Sequence, residues 1–220
     1  MRWWKWSWRS SGAVPGEPSR WVQLTLPGWS EETPTEDLRV WRDIDGDVIS
    51  LHISKEAIAP NGTDPSELRI WCRKHAESRG GGLIETRTIS GGIGKSVMFI
   101  YKRLQMPAYV YTGMLITFAR GAWLLWTIVA GEHGTTGVRE AVVTSDLINA
   151  GKFTIDNYKL YWAQDPYDPA YRGVDRNVLR FISDDDSYDE QFPQHPLSKV
   201  RRLLATLADN VQVESEIRCG

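Results

Sequence analysis

Residues 108–131 read AYVYTGMLITFARGAWLLWTIVAG and form the most apolar stretch of the chain. A run of this length admits two structures: one membrane-spanning helix, or two strands joined at Arg120-Gly121. Composition decides between them. Tyr109, Val110, Tyr111, Thr112, Ile116, Thr117 and Phe118, then Trp123, Trp126, Thr127, Ile128 and Val129, are β-branched or aromatic and suit a pleated surface. A helix would also place Arg120 near the bilayer centre, at about 2.5–3.5 kcal/mol on insertion scales. Ala119-Arg120-Gly121 makes a hairpin connection instead, with glycine supplying a positive φ. The stretch is therefore expected to be the centre of a sheet that other segments extend or cover.

The flanking patterns supply those segments. Trp21-Val22-Gln23-Leu24-Thr25-Leu26 alternates as a strand and stops at Pro27-Gly28. Residues 38–42 and 48–53 read as a hairpin around Asp45-Gly46, a type I′ pair. Asp64 caps a helix, with Pro65 in its first turn and Glu67 placed to reach back. Leu68, Trp71, Cys72, His75 and Ala76 share a stripe of that helix, and Gly80-Gly81-Gly82 stops it. Strands follow over 83–89, 97–104, 109–118 and 123–130. Their short Gly- or Pro-containing connections require an antiparallel meander.

Helical periodicity returns over 138–148, ending at Ala150-Gly151. Thr154 is placed to cap a short helix carrying Ile155, Tyr158, Tyr161 and Trp162. Residues 165–196, rich in Asp, Tyr, Pro and Arg, are either a structured extension or a long loop. A last helix, 196–208, opens on Pro196 and aligns Leu197, Val200, Leu203, Leu204 and Leu207. The expected class is α+β: a mostly antiparallel sheet of about six or seven strands, helices packed against it, and a C-terminal extension ending in a helix. One domain should span 20–210, with a core over 20–150 and an extension over 151–210, between tails at 1–19 and 211–220.

A net charge of −2 gives no general attraction to nucleic acid. Residues 1–9, MRWWKWSWR, interleave Trp with Lys and Arg. They are the one route to a membrane surface, and otherwise read as a disordered tail set off by the Ser-, Gly- and Pro-rich residues 10–19. Cys72 and Cys219 lie too far apart in sequence and context to suggest a disulfide framework, and no secretory signal is visible. A cytoplasmic location is expected.

Motifs for chemistry are few. Gly91-Gly92-Ile93-Gly94-Lys95-Ser96 fails as a phosphate loop, because residue 89 is Ile and a strand follows where a helix is needed. Asp43-Ile44-Asp45-Gly46-Asp47 starts like a calcium loop but has Val48 and Ser54 where Gly and Glu are required. No histidine has zinc-type spacing, so neither a metal nor a cofactor is implied. Residues 183–190, SDDDSYDE, offer carboxylates to a divalent cation; the plainer reading is a solvated loop offset by Arg172, Arg176 and Arg180. In the loop over 131–137, Gly134, Thr135 and Thr136 precede a helix whose free amides favour an anion. Tyr109, Tyr111, Trp123 and Trp126 are the aromatics on the central strands. Tyr109 shares a face with Tyr111, and Trp123 and Trp126 point to opposite faces.

The order over 20–150 is strand, Leu26-Pro27-Gly28-Trp29, hairpin, helix, antiparallel meander, helix. It resembles the PsbP-like superfamily, which includes DcrB-like proteins and chaperone adaptors of type VI secretion effectors. The resemblance covers about three-fifths of the chain and carries over no functional residue by position. It implies an α/β sandwich that binds proteins or hydrophobic segments and performs no chemistry; the extension after Gly151 departs from it. The first expectation is thus a bacterial-type, non-enzymatic binding or adaptor protein presenting an aromatic-rich sheet face, with Tyr109, Tyr111, Trp123 and Trp126, to a protein partner. The alternative is a small hydrolase or ligand-binding enzyme using His133, Glu132 and His195. Convergence of both histidines with a carboxylate in one cleft would favour it.

Overall fold

The apolar stretch is an antiparallel hairpin, Ala108–Ala119 paired with Ala122–Gly131 and Ala119 opposite Ala122. The computed structural model describes residues 22–24, 26–35, 37–60, 64–91, 94–119, 121–154, 156, 162–210 and 212–213. The Trp-rich segment, Trp21, Thr25, Arg120, Ile155 and residues 157–161 of the short helix expected after Thr154, and the tail from 214 lie outside them. In chain order the elements are β1 (Val22–Gln23), β2 (Ser30–Glu31), β3 (Leu38–Arg42), β4 (Val48–Ser54), α1 (Pro65–Ser78), β5 (Gly81–Gly91) and β6 (Gly94–Gln105). The hairpin follows as β7 (Ala108–Ala119) and β8 (Ala122–Gly131). Then come α2 (Val138–Asn149), β9 (Ala163–Gln164), β10 (Arg180–Phe181), α3 (Pro196–Asn210) and β11 (Gln212–Val213). The fold is α+β, a seven-stranded sheet in the order β2-β3-β4-β8-β7-β6-β5 with all neighbours antiparallel. Among the described residues no helix is long and apolar enough to cross a membrane.

Local chemistry accounts for the helices. The Asp64 carboxylate accepts the Ser66 N–H at 2.8 Å, Pro65 fills the first helical position, and Leu68, Cys72 and Ala76 are buried. α2 starts at Gly137, whose φ of 73° other residues rarely adopt. α3 has the strongest amphipathic pattern, and Leu197, Val200, Leu203, Leu204 and Leu207 are all buried.

The two faces of the sheet are covered unequally. α3 lies across β7 and β8 and, with Trp41, Ile49, Leu51, Ile100, Tyr111, Leu115, Trp126 and Ile128, encloses the larger core. It sits close because β7 carries Gly113 there; a Cβ at that point would lie 2.5 Å from Val200 Cγ1 and 2.8 Å from Leu204 Cδ1. On the opposite face α1 covers β5 and β6 and joins a second core with Phe99, Tyr101, Met114 and Ile116.

Four local expectations are corrected. The first strand is short, and Val22 and Gln23 pair with Val213 and Gln212 outside the main sheet. The β3–β4 turn is not type I′, since only Gly46 has positive φ, at 85°. Gly46 N–H donates to Asp43 O and Asp43 N–H to Asp47 O, as in a type I turn closed by a glycine bulge. Gly81 and Gly82 begin β5, so Gly80, with φ of 71°, is alone the helix stop.

The fourth concerns the acidic run, which is a solvated loop only in part. Asp186, Ser187 and Glu190 are exposed and Arg180 offsets Asp185 as expected, but other members are drawn inward. Asp184 is buried on Lys102, Asp185 pairs with Arg180, Asp186 with Arg87, and Asp189 with Arg139 and Arg201. Cations from β6, β10, β5, α2 and α3 thereby draw the run onto the body of the protein. The extension also guards an edge. β5 ends the sheet, and the Tyr167 hydroxyl accepts Thr86 N–H at 2.7 Å and donates to Thr86 O at 3.0 Å. Those are edge groups that another strand would otherwise pair.

Candidate functional site

Two features remain once the packing is accounted for. The first is a buried polar cluster beside the end of β8. Glu132 follows that strand, Glu140 lies in the first turn of α2, and His195 precedes α3. Their ligating atoms lie within 4.8 Å of one another. His195 Nε2 is 3.8 Å from Glu132 Oε1, and their side chains are only 8% and 6% exposed. Backbone amides fix Glu132: Gly137 N–H donates to Oε1 at 2.8 Å and Tyr109 N–H to Oε2 at 3.2 Å. The Tyr111 hydroxyl lies 3.5 Å from Glu140 Oε1. Glu140 Oε2 and His195 Nε2 are buried without a hydrogen-bond partner among the described residues.

Charge in this region is unevenly matched. Lys102 Nζ is 2.5 Å from Asp184 Oδ2, both side chains fully buried, and lies 3.1 Å from the centre of the Phe181 ring. Burial pulls the Lys102 ammonium pKa down while Asp184 opposes the shift. Arg139 is spent on Asp189, Ser198 Oγ and the carbonyls of Ser183 and Asp185. Glu132 and Glu140 are thus left facing each other. Burial raises the Glu140 pKa, and Asp184 and Glu132 add to the shift. Burial, with Arg139 nearby, pushes His195 down to about 3, so its imidazole is neutral at physiological pH. His195 Nδ1 accepts the Leu197 N–H at 3.3 Å, which caps α3 and puts the ring hydrogen on Nε2.

The second feature is an open strip of sheet on the α1 side. Cross-strand rows run Phe118–Trp123–Ser54, Ile116–Leu125–His52–Leu38, Met114–Thr127–Ser50–Val40 and Thr112–Val129–Val48–Arg42. Beyond the reach of α1 these rows are partly exposed; Phe118 is 54% and Leu38 39% exposed. Among the strip's residues on β3, β4 and β8, Arg42 and His52 are the only ionisable ones. Phe118 and Trp123 pack ring to ring at 5.4 Å.

The residues singled out from sequence divide between these features. Tyr111 and Trp126 are fully buried under α3, and Trp126 stacks on Trp41 at 5.8 Å, so neither belongs to an accessible face. Tyr109 is half-buried on the same side, its hydroxyl donating to Asn177 O. Only Trp123 of the four lies on the open strip. Glu132 and His195 meet, but His133 does not join them: its side chain is 60% exposed and Nε2 lies 3.6 Å from Asp47 Oδ1. The anion expected near Gly134, Thr135 and Thr136 is supplied by the chain itself, because Glu132 takes the Gly137 amide. Gly134 and Thr135 are exposed and Thr136 half-exposed.

Glu140, Lys102 and Asp184 were not picked out in the sequence as members of a cluster. A lysine within a β-strand at a position facing the core was the available signal. The calcium-like run of Asp43, Asp45 and Asp47 already holds a cation, for Lys199 Nζ lies 2.6, 3.3 and 2.6 Å from their carboxylates. Burial disfavours that ammonium, yet Asp43 and Asp47 outweigh it and hold its pKa above the usual lysine range.

No family model matches the chain, and no curated protein matches it. Among solved structures it is similar to a point mutant of Protein Mog1, with a TM-score of 0.38 and 10% identity over 58% of this chain and 79% of that one. At that score the likeness is one of outline and supports no statement about function.

Proposed function

We propose that this chain is a non-enzymatic binding protein that docks a protein partner on the open strip formed by β8, β4 and β3. The observation supporting this reading is the strip's chemistry. Solvated sheet faces alternate charged and polar residues, whereas Trp123, Leu125, Val129, Val48, Val40 and Leu38 form a surface depleted of charge and containing an aromatic anchor. Tryptophan is among the residue types in which binding energy concentrates, and Trp123 is the one on this strip. The hydrolase reading has one point in its favour, the meeting of His195 with Glu132. A ring that protonates only near pH 3 is poorly matched to general-base work at neutral pH, and His133 lies elsewhere.

The test is affinity capture from the native host with wild type, the double variant Trp123→Glu/Leu125→Glu, and Lys74→Glu on the exposed side of α1 as a charge control. One partner should be retained in stoichiometric amount by wild type and by K74E, and lost by the double variant at an unchanged unfolding midpoint. Failure of wild type to retain any protein, or retention of the same protein by the double variant, would sink the proposal.

A further inference from the structure

We propose that Glu132, Glu140 and His195 bind one divalent transition-metal ion of the kind that accepts mixed imidazole and carboxylate donors, such as zinc or manganese. Three donor atoms from three separate elements converge within 4.8 Å of one another. This is a site brought together by the fold and not a run of acids in one loop. Glu140 Oε2 and His195 Nε2 are buried without a partner among the described residues, and the His195 side chain is only 8% exposed. Buried polar atoms are almost always satisfied, so two orphans within one cluster mark something that the polypeptide itself does not provide.

The surroundings suit a metal. Glu132 is oriented by two backbone amides and Glu140 by the Tyr111 hydroxyl, the outer contacts that hold ligating carboxylates in place. Lys102 and Arg139, the nearby cations, make their ion pairs with Asp184 and Asp189. Glu132 and Glu140 therefore feel Lys102 only at longer range and have no lysine or arginine paired with them among the described residues. A divalent ion supplies a direct counter-charge. Neutral imidazole and carboxylate donors fit zinc and manganese better than calcium, which takes oxygen ligands in larger number. Glu140 also lines a surface groove of about 650 Å³ with Gly137, Ala141, Thr144 and Trp162, which brings solvent to the α2 side of the cluster.

Binding has a defined proton balance. Coordination uses the Nε2 lone pair, so the hydrogen now on Nε2 moves to Nδ1 and the 3.3 Å contact with the Leu197 amide is given up. Where Glu140 is protonated, that proton is released to solvent as the ion binds. The His195 tautomer is therefore a readout of coordination that a surface-bound ion would not move.

The experiment uses the full chain after treatment with a chelator. Zinc and manganese are titrated in separate calorimetric runs, and the histidine ring nitrogens are followed by NMR during zinc addition. The expected result is one ion per chain for at least one metal, a shift of His195 from the Nε2–H to the Nδ1–H form, and roughly tenfold or greater weakening in Glu140→Gln. Glu140→Gln is nearly isosteric, and His133→Ala serves as the surface control that should bind as wild type does. Absence of one-to-one binding for both metals overturns the proposal. So does an unchanged His195 tautomer, or binding that is lost in H133A and kept in E140Q.

Discussion

Lys102 sits in a neighbourhood that should tolerate substitution poorly. Its ammonium and the Asp184 carboxylate are sealed together, and removing one partner leaves the other charged and dry. Lys102→Met is expected to cost about 3–5 kcal/mol, measured by urea unfolding, with Lys102→Met/Asp184→Asn recovering a part of it. Two histidines set an acid limit. Burial lowers His195 to about 3 and His75 to about 4, in each case below the unfolded value of 6.5. A base depressed by folding contributes fully above its unfolded pKa, and that contribution is lost as pH falls toward the folded value. Stability should therefore decline below pH 6.5, by on the order of 2 kcal/mol for each histidine at pH 5. Glu140, raised in the fold, opposes the decline within the carboxylate range. Unfolding midpoints measured from pH 7 to pH 5 check the slope, and His75→Phe, set among Trp71, Phe99 and Tyr101, should remove about half of it.

At the scale of elements, two contacts carry separate expectations. Gly113 is the point where α3 meets β7, and Gly113→Ala should lower stability by about 1–3 kcal/mol, since Val200 and Leu204 must move aside. Tyr167→Phe removes the hydroxyl that serves both edge groups of Thr86. The Thr86 amide should then exchange with solvent deuterium measurably faster than in wild type, with amides of β7 unchanged; equal rates would show that the edge is guarded by something else. The helices and the meander were readable because their signals are local: Asp64-Pro65, Gly121, and the apolar stripe of Leu197, Val200 and Leu204. The extension was not. Its role depends on Lys102, Arg87, Arg139 and Arg201, which are remote in sequence from Asp184, Asp186 and Asp189. The same distance hid the Glu132–Glu140–His195 cluster, whereas the pairing of Glu132 with His195 was at least proposed. The expected aromatic face failed at Tyr111 and Trp126 because periodicity tells which residues share a face but not which face a helix will cover.

For the molecule as a whole, the sheet joins sections of chain that are made at different times. β5 to β8 are successive neighbours linked by short turns, whereas β4 reaches its partner β8 only across α1 and the entire meander. Closing that longer loop costs more chain entropy than zipping any one of the hairpins. The meander is thus the natural nucleus, and the β3–β4 hairpin joins it late. Destabilising changes such as Ile49→Ala should then act mainly by quickening unfolding, while equivalent changes in β7 should slow refolding. A ribosome that has released residues up to about 100 would have exposed the first hairpin with nothing yet to pair it against. During synthesis the molecule is therefore most vulnerable at its beginning, and safe only when the last central strand arrives.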